Sequence, residues 1–367
     1  MKHIFCVVVV FALFVSCAQA VEVPFIEIQG YASSDNYASI AFFPDGKKFV
    51  AGSRITRIYD VSGKELQTLV HENDIVYFVA VSPDGKRIIT AGANYVSDLE
   101  DPIIRIWDVE SGEVIQKIEG LFGAISPDRM KVVTTGWDIP PGRLWDTESG
   151  KELKKLEGYT GFTHSAAFSP DGKKLVTINT NGITQVWNTE SGKELKKLDR
   201  HRFWYFSPDG KKIASSRFFH HIFDKTTSIL DSESEKELLE IEGQFGTFSA
   251  DGKVIVTRSR ERVGSQVSNY IFQIWDAESG KEMQKLVWRS SPIVHTVVLS
   301  PDGKKIVAIR YRGRDAIKIW DTESGKELYT LGHDRGEFRS GSAVVFSPDG
   351  KILVTACGGT IRIWTLE

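Results

Sequence analysis

Short apolar runs, most of them alternating with polar positions, recur along nearly the whole chain and are interrupted by the same turn sequences. One copy is complete from Ser165 to Leu198, SAAFSPDGKKLVTINTNGITQVWNTESGKELKKL. Ala166 to Phe168 is an apolar run that stops at Ser169-Pro170-Asp171-Gly172, where proline presets φ for a type I turn and glycine accepts the left-handed position after it. That is a hairpin signal. Lys174 to Ile178 reads as a second strand, Asn179 to Gly182 as a polar link, and Ile183 to Trp187, with its alternation, as a third strand. A second turn, Glu190-Ser191-Gly192-Lys193, leads to a fourth strand, Glu194 to Leu198. The pattern therefore predicts a four-stranded antiparallel meander of about forty residues, too small to hold a core alone, so that copies must stack on one another.

Two landmarks count the copies independently. The first turn recurs at Pro44-Asp45-Gly46, Pro83-Asp84-Gly85, Pro127-Asp128-Arg129, Pro170-Asp171-Gly172, Pro208-Asp209-Gly210, Ala250-Asp251-Gly252, Pro301-Asp302-Gly303 and Pro348-Asp349-Gly350. The end of the third strand recurs in step, at Tyr59-Asp60, Trp107-Asp108, Trp145-Asp146, Trp187-Asn188, Leu230-Asp231, Trp275-Asp276, Trp320-Asp321 and Trp364-Thr365. Both give eight, at spacings of 38 to 51 residues, the signature of a blade repeat. Six of the nine tryptophans hold this place, where packing between blades is the expected role.

At these residues the chain resembles the WD-repeat (tryptophan-aspartate repeat) family of β-propellers. The resemblance covers essentially Val21 to Glu367 and rests on Trp-Asp at the end of strand c, SPDGK between strands a and b, and ESGKEL leading into strand d. It implies an all-β fold, an eight-bladed β-propeller of four-stranded antiparallel blades. The family's structural tetrad also uses a Gly-His before strand a and an Asp between strands b and c. Here Gly332-His333 is the only full Gly-His, with His71, His164 and His201 near the equivalent place and the Asp mostly absent, so the network stiffening each blade is expected to be incomplete. The last copy ends soon after Trp364 and lacks its fourth strand, whereas Pro24 to Gln29, PFIEIQ, precedes the first strand a (Ser39 to Phe42) just as a fourth strand would. This segment is expected to pair at the outer edge of the last blade and close the circle.

Residues 1–20 carry a short basic start, an apolar run from Ile4 to Val15 and Ala18-Gln19-Ala20, which reads as a secretory signal cleaved after Ala20 and leaves residues 21–367 as a single propeller domain. About a dozen apolar residues are too few to span a bilayer, so no transmembrane segment is expected after cleavage. The protein is then exported, periplasmic or secreted; lipid attachment at Cys17 is the alternative. The net charge of −2 provides no global field to recruit nucleic acid or membrane. Only Cys357 survives cleavage, so cohesion must come from buried area.

In the family's geometry the a-b and c-d turns lie on one face, and the b-c and d-a connections on the other. The first set is nearly invariant here. The second varies: Asn94 to Pro102 and Arg258 to Tyr270 read as long b-c insertions, Trp137 to Pro141 is aromatic and proline-rich, and Tyr31 to Tyr37 and His333 to Gly341 are long d-a links. Variable loops on a repeating scaffold are where binding specificity resides. On this face Arg258, Arg260, Arg262, Arg289, Arg310, Arg312, Arg314, Arg335 and Arg339 fall on connections of the sixth to eighth blades, with Trp288 and Tyr311 among them. Asp35, Glu72, Asp74, Asp98, Glu100 and Asp101 fall around the first two. Guanidinium groups interleaved with aromatics suit an anion or an acidic protein surface; a solvated rim with local pairs such as Arg314 with Asp315 is the plainer alternative.

Catalytic chemistry is not legible. The acidic loops lack the glycine-bearing spacing of a calcium hand. His220 and His221 are neighbours that point to opposite faces of an extended chain, and Cys357 lies in a strand where a small buried residue belongs. No serine sits in a nucleophile elbow and no glycine-rich loop opens a helix. No metal or cofactor is implied. The sequence therefore points to a non-catalytic binding scaffold for a protein or peptide partner. A propeller enzyme of hydrolase or lyase type with its site at the central channel, and a component of a periplasmic envelope assembly, are the alternatives, because the fold alone does not decide function.

Overall fold

The computed structural model describes residues 23–29, 39–71, 75–93, 102–135, 142–159, 163–179, 183–198, 202–219, 222–223, 226–234, 236–263, 268–290, 294–310, 317–332, 343–357 and 359–366. Residues 1–20, read from the sequence as a cleaved leader, and Cys17 among them, lie outside these. The strands form eight antiparallel sheets of like order, seven of them consecutive a-b-c-d meanders. Observed strands match those predicted for the complete copy to within a few residues: Thr163–Phe168, Lys174–Asn179, Thr184–Asn188 and Glu194–Leu198. The fifth blade adds a two-stranded extension, Ile222–Phe223 pairing back on its strand b.

The turn sequences fold as their chemistry dictates. In blades two to eight the serine that opens the turn, followed by proline in all but the sixth, donates its hydroxyl to the aspartate of the same turn at 2.5–2.6 Å. The same hydroxyl accepts the backbone N–H that opens strand b at 2.8–2.9 Å. In the first blade Phe43 replaces the serine, and Asp45 accepts from the Lys47 N–H. The third position of the turn has φ between 62° and 72° in all eight blades. Seven use glycine, which has no Cβ to clash there; the third blade uses Arg129, the only non-glycine at positive φ among the described residues.

The aspartate after tryptophan has an equally local task. Asp60, Asp108, Asp146, Asn188, Asp231, Asp276 and Asp321 each accept the serine N–H of the c-d turn at 2.7–2.9 Å. The eighth blade has no c-d turn, and Thr365 stands there instead. Each tryptophan indole in turn donates to a strand b threonine in five blades, as in Trp187 Nε1 to Thr177 Oγ1 at 2.9 Å. The fifth and seventh blades lack this bond. In the seventh blade Ala308 replaces the threonine, and in the fifth Leu230 replaces the tryptophan, leaving the buried Ser215 hydroxyl without a partner. His71 reaches Thr56 at 3.0 Å and meets the ring of Trp107 in the next blade edge-on, at 4.8 Å.

Hydrophobic clusters lie between blades rather than within them. One joins Phe49, Ala51 and Tyr59 of the first blade to Val354, Ala356, Ile361 and Ile363 of the eighth, with Ile26 and Ile28 packed against it. These last two belong to the N-terminal strand, Phe25–Gln29, which pairs antiparallel with Thr360–Thr365 in the register Phe25↔Trp364 to Gln29↔Thr360. The ring thus closes as expected. The chemistry of the seam copies that of other blades, where a polar residue two before the tryptophan reaches the glutamate opening strand d, as in Arg57–Glu65 and Arg143–Glu152, both 3.4 Å. Arg362 instead reaches Glu27 at 2.7 Å; its side chain is 4% exposed and its guanidinium stands 4.6 Å from the centre of the Phe25 ring. Gly63 in the first c-d turn lies so close to this strand that a Cβ there would stand 2.8 Å from Ile26.

Candidate binding face

The sixth blade differs most from the repeat. Its strands b, c and d, Val254–Arg262, Ser268–Asp276 and Glu282–Ser290, are nine residues each, against four to eight elsewhere. The stretch from Arg258 to Tyr270 was expected as a loop insertion; most of it is instead a continuation of strands b and c as a long hairpin, with Arg260↔Tyr270 and Arg262↔Ser268 in register. The sheet continues to the edge, with Tyr270↔Trp288 and Asn269↔Arg289 paired. Alternation in a strand puts Arg258 and Arg260 on one face with Phe272 and Tyr270, and with Leu286 and Trp288 beyond them.

That face turns toward the seventh blade. Tyr270, Phe272, Leu286 and Trp288 share a core with Val294, Leu299, Ile306 and Trp320. Trp288 is 4% exposed and lies edge-on to Trp320 at 5.9 Å, so its place is the seam between blades and not the open surface. Its second role is to carry cations. The Arg310 guanidinium stands 5.5 Å from its ring centre and the Lys318 ammonium 5.9 Å, while Arg260 stands 5.6 Å from the Tyr270 ring. Such stacking is worth about 0.5–1 kcal/mol at exposed sites and holds the head group in place. Arg310 Nε is buried without a hydrogen-bond partner. Arg258 is half-buried and donates from Nε to Gln244 Oε1 at 3.2 Å. Burial pulls its guanidinium below the ordinary value, with Tyr205 and Tyr270 opposing.

Arg289 is exposed on the opposite face of the sheet, near Asn269, whose amide donates to Glu261 Oε2 at 3.3 Å. The structure thus brings Arg258, Arg260, Trp288 and Arg310 together on one side of the sixth blade's extension and sets Arg289 on the other. The side chain of Arg262, and residues Tyr311, Arg312, Arg314, Arg335 and Arg339, lie outside the described residues, as do the acidic positions Asp35, Glu72, Asp74, Asp98, Glu100 and Asp101, and His220 and His221. Tyr270 and Lys318 join the group without having been singled out from the sequence. The signal for Tyr270 was present in the strict alternation of arginine from 258 to 262 facing alternating aromatics, which is a strand pattern. Among the described residues no three His, Cys, Asp or Glu side chains converge to hold a metal ion, and Cys357 is buried in its strand.

The sequence has counterparts among known proteins. Residues 63–108 and 325–365 match the family model described as WD domain, G-beta repeat. The chain is also similar to an uncharacterized WD repeat-containing protein from Synechocystis sp., 30% identical over 109 residues; the match spans 27% of this chain and 29% of the relative's length. With eight antiparallel sheets and a serine-capped turn that recurs in seven of them, the chain is an eight-bladed β-propeller, and two stretches of it match the repeat of the WD family. That class is generally one of scaffolds that hold other proteins.

Proposed function

We propose that this protein is an exported, non-catalytic scaffold that holds a protein or peptide partner through the b-c and d-a face of its sixth to eighth blades, and that the partner presents carboxylates there. The observation that carries this reading is the pair of guanidinium groups, Arg260 and Arg310, each standing over an aromatic ring of the same sheet extension. Guanidinium groups already stacked on rings have less freedom to lose on binding, and arginine offers a planar fork of donors that fits a carboxylate. The leader sequence supports export. The test is affinity capture from the envelope fraction of the exporting cell with the full chain and with Arg260→Ser/Arg310→Ser. A partner retained by the native chain at low salt, released at high salt and lost from the double variant at unchanged melting temperature supports the reading; salt-independent capture by both proteins overturns it.

A further inference from the structure

Every blade exposes the outer edge of its last strand, and in seven of the eight that strand has four to six residues. In the sixth it has nine, Glu282–Ser290, paired among the described residues only with strand c on its inner side. An unpaired edge is a row of free N–H and C=O groups that templates another strand, and natural proteins keep such edges short. This one is long; near its start the Lys285 N–H already donates to Gln284 Oε1 at 3.0 Å, so the groups offered to another strand lie from Leu286 onward. Leu286 and Trp288, 3% and 4% exposed, anchor one face of it in the seam with the seventh blade.

The other face presents Met283, Lys285, Val287 and Arg289, all exposed, an alternation of apolar and cationic residues. Val287 is 54% exposed and stands opposite Ile271, so an apolar pair reaches the edge. The rows on either side, Gln273–Lys285 and Asn269–Arg289, end in a cation. A second copy of this strand is a poor occupant: antiparallel pairing about Val287 would set Lys285 directly against Arg289, and like charges so opposed are destabilising. Carboxylates at those two places are favoured for the same reason.

We infer that the outer edge of the sixth blade receives an extended segment of a partner protein as a fifth strand, with an apolar residue beside Val287 and an acidic residue two places to each side, against Lys285 and Arg289. Main-chain bonds supply affinity and the alternate side chains supply choice, as in other strand additions. The inference rests on the reading of this chain as a protein-binding scaffold and narrows its partner.

The probe is a short synthetic peptide with a central valine flanked at two-residue spacing by glutamates, measured against the full chain beside a lysine-for-glutamate version and a backbone N-methylated version. The glutamate peptide is expected to bind at least about tenfold tighter than the other two, and to slow amide exchange along residues 286–290. Lys285→Glu/Arg289→Glu, two exposed changes, should reverse the preference between glutamate and lysine peptides. No binding of the glutamate peptide, equal binding of the N-methylated form, or an unreversed preference overturns the inference. The scaffold reading is tested separately, because Arg260 and Arg310 lie on the opposite face: loss of the captured partner in that double variant alongside a silent peptide discards the fifth strand alone.

Discussion

Thr177 and Ser215 hold the same place in strand b of the fourth and fifth blades, yet their hydroxyls do different things. Thr177 accepts the Trp187 indole N–H at 2.9 Å, whereas Ser215 faces Leu230 and has no partner. Removing an acceptor leaves a buried donor unsatisfied, at a cost of about 1–3 kcal/mol; removing a hydroxyl that is already unpaired costs little or stabilises. Thr177→Val is therefore expected to lower the denaturant midpoint clearly, and Ser215→Ala to leave it unchanged or raise it. Equal destabilisation by both would mean that the indole bond does not contribute. The same scale explains why Trp-Asp reads so reliably from sequence: tryptophan, aspartate and the serine after it are joined by bonds within a few residues or one hairpin, so their chemistry is local and repeats with the letters. Arg310 on Trp288 was not legible in that way, because the contact crosses from one blade to the next and no repeat announces it.

At the level of the strand, alternation and turn residues located nearly every element, and counting strands per copy assigned Phe25–Gln29 to the last blade. The sixth-blade extension was read as loop because its strand b continuation, Arg-Ser-Arg-Glu-Arg, contains no apolar residue; the alternation is there, but one side is solvated and the other stacks guanidinium on aromatic rings, which a hydrophobic pattern does not register. The N-terminal strand makes the sharper prediction. Arg362 is buried, and Glu27 is the carboxylate bonded to its Nε at 2.8 Å and to its Nη2 at 2.7 Å. Removing one member of a buried pair leaves an uncompensated charge, at about 3–5 kcal/mol. Glu27→Ala should lower stability by an amount of that order in urea unfolding, and deleting residues 21–30 should lower it at least as far. A deletion that melts with the native chain would show that the strand does not hold the ring.

For the molecule as a whole, stability depends on pH through groups whose folded values differ from their unfolded ones. Serine hydroxyls, and then backbone N–H groups, hold Asp84, Asp171, Asp251, Asp276, Asp321 and Asp349 below the ordinary carboxylate value of 3.8. Such groups contribute stability that is present above 3.8 and lost as pH falls through their lower folded values. His71 acts in the same direction earlier. Burial, with Arg105 nearby, depresses it from 6.5 to about 3, so the unfolded chain binds a proton that the folded chain refuses throughout that interval. Stability should decline from 6.5 downward and fall more steeply below 3.8. In His71→Gln the first decline should vanish while the second remains, read by urea midpoints across that range; a native-like decline in the variant would assign it to other groups.

Glu27 and Arg362 are 335 residues apart in the chain and touch in the folded protein. Nothing can complete the circle until the final blade has been made, so the earliest structured segment stays unclaimed while all the rest is assembled. The seam of the ring is therefore sealed only after Arg362 has been added to the chain, and any fragment that stops short of it is an open arc.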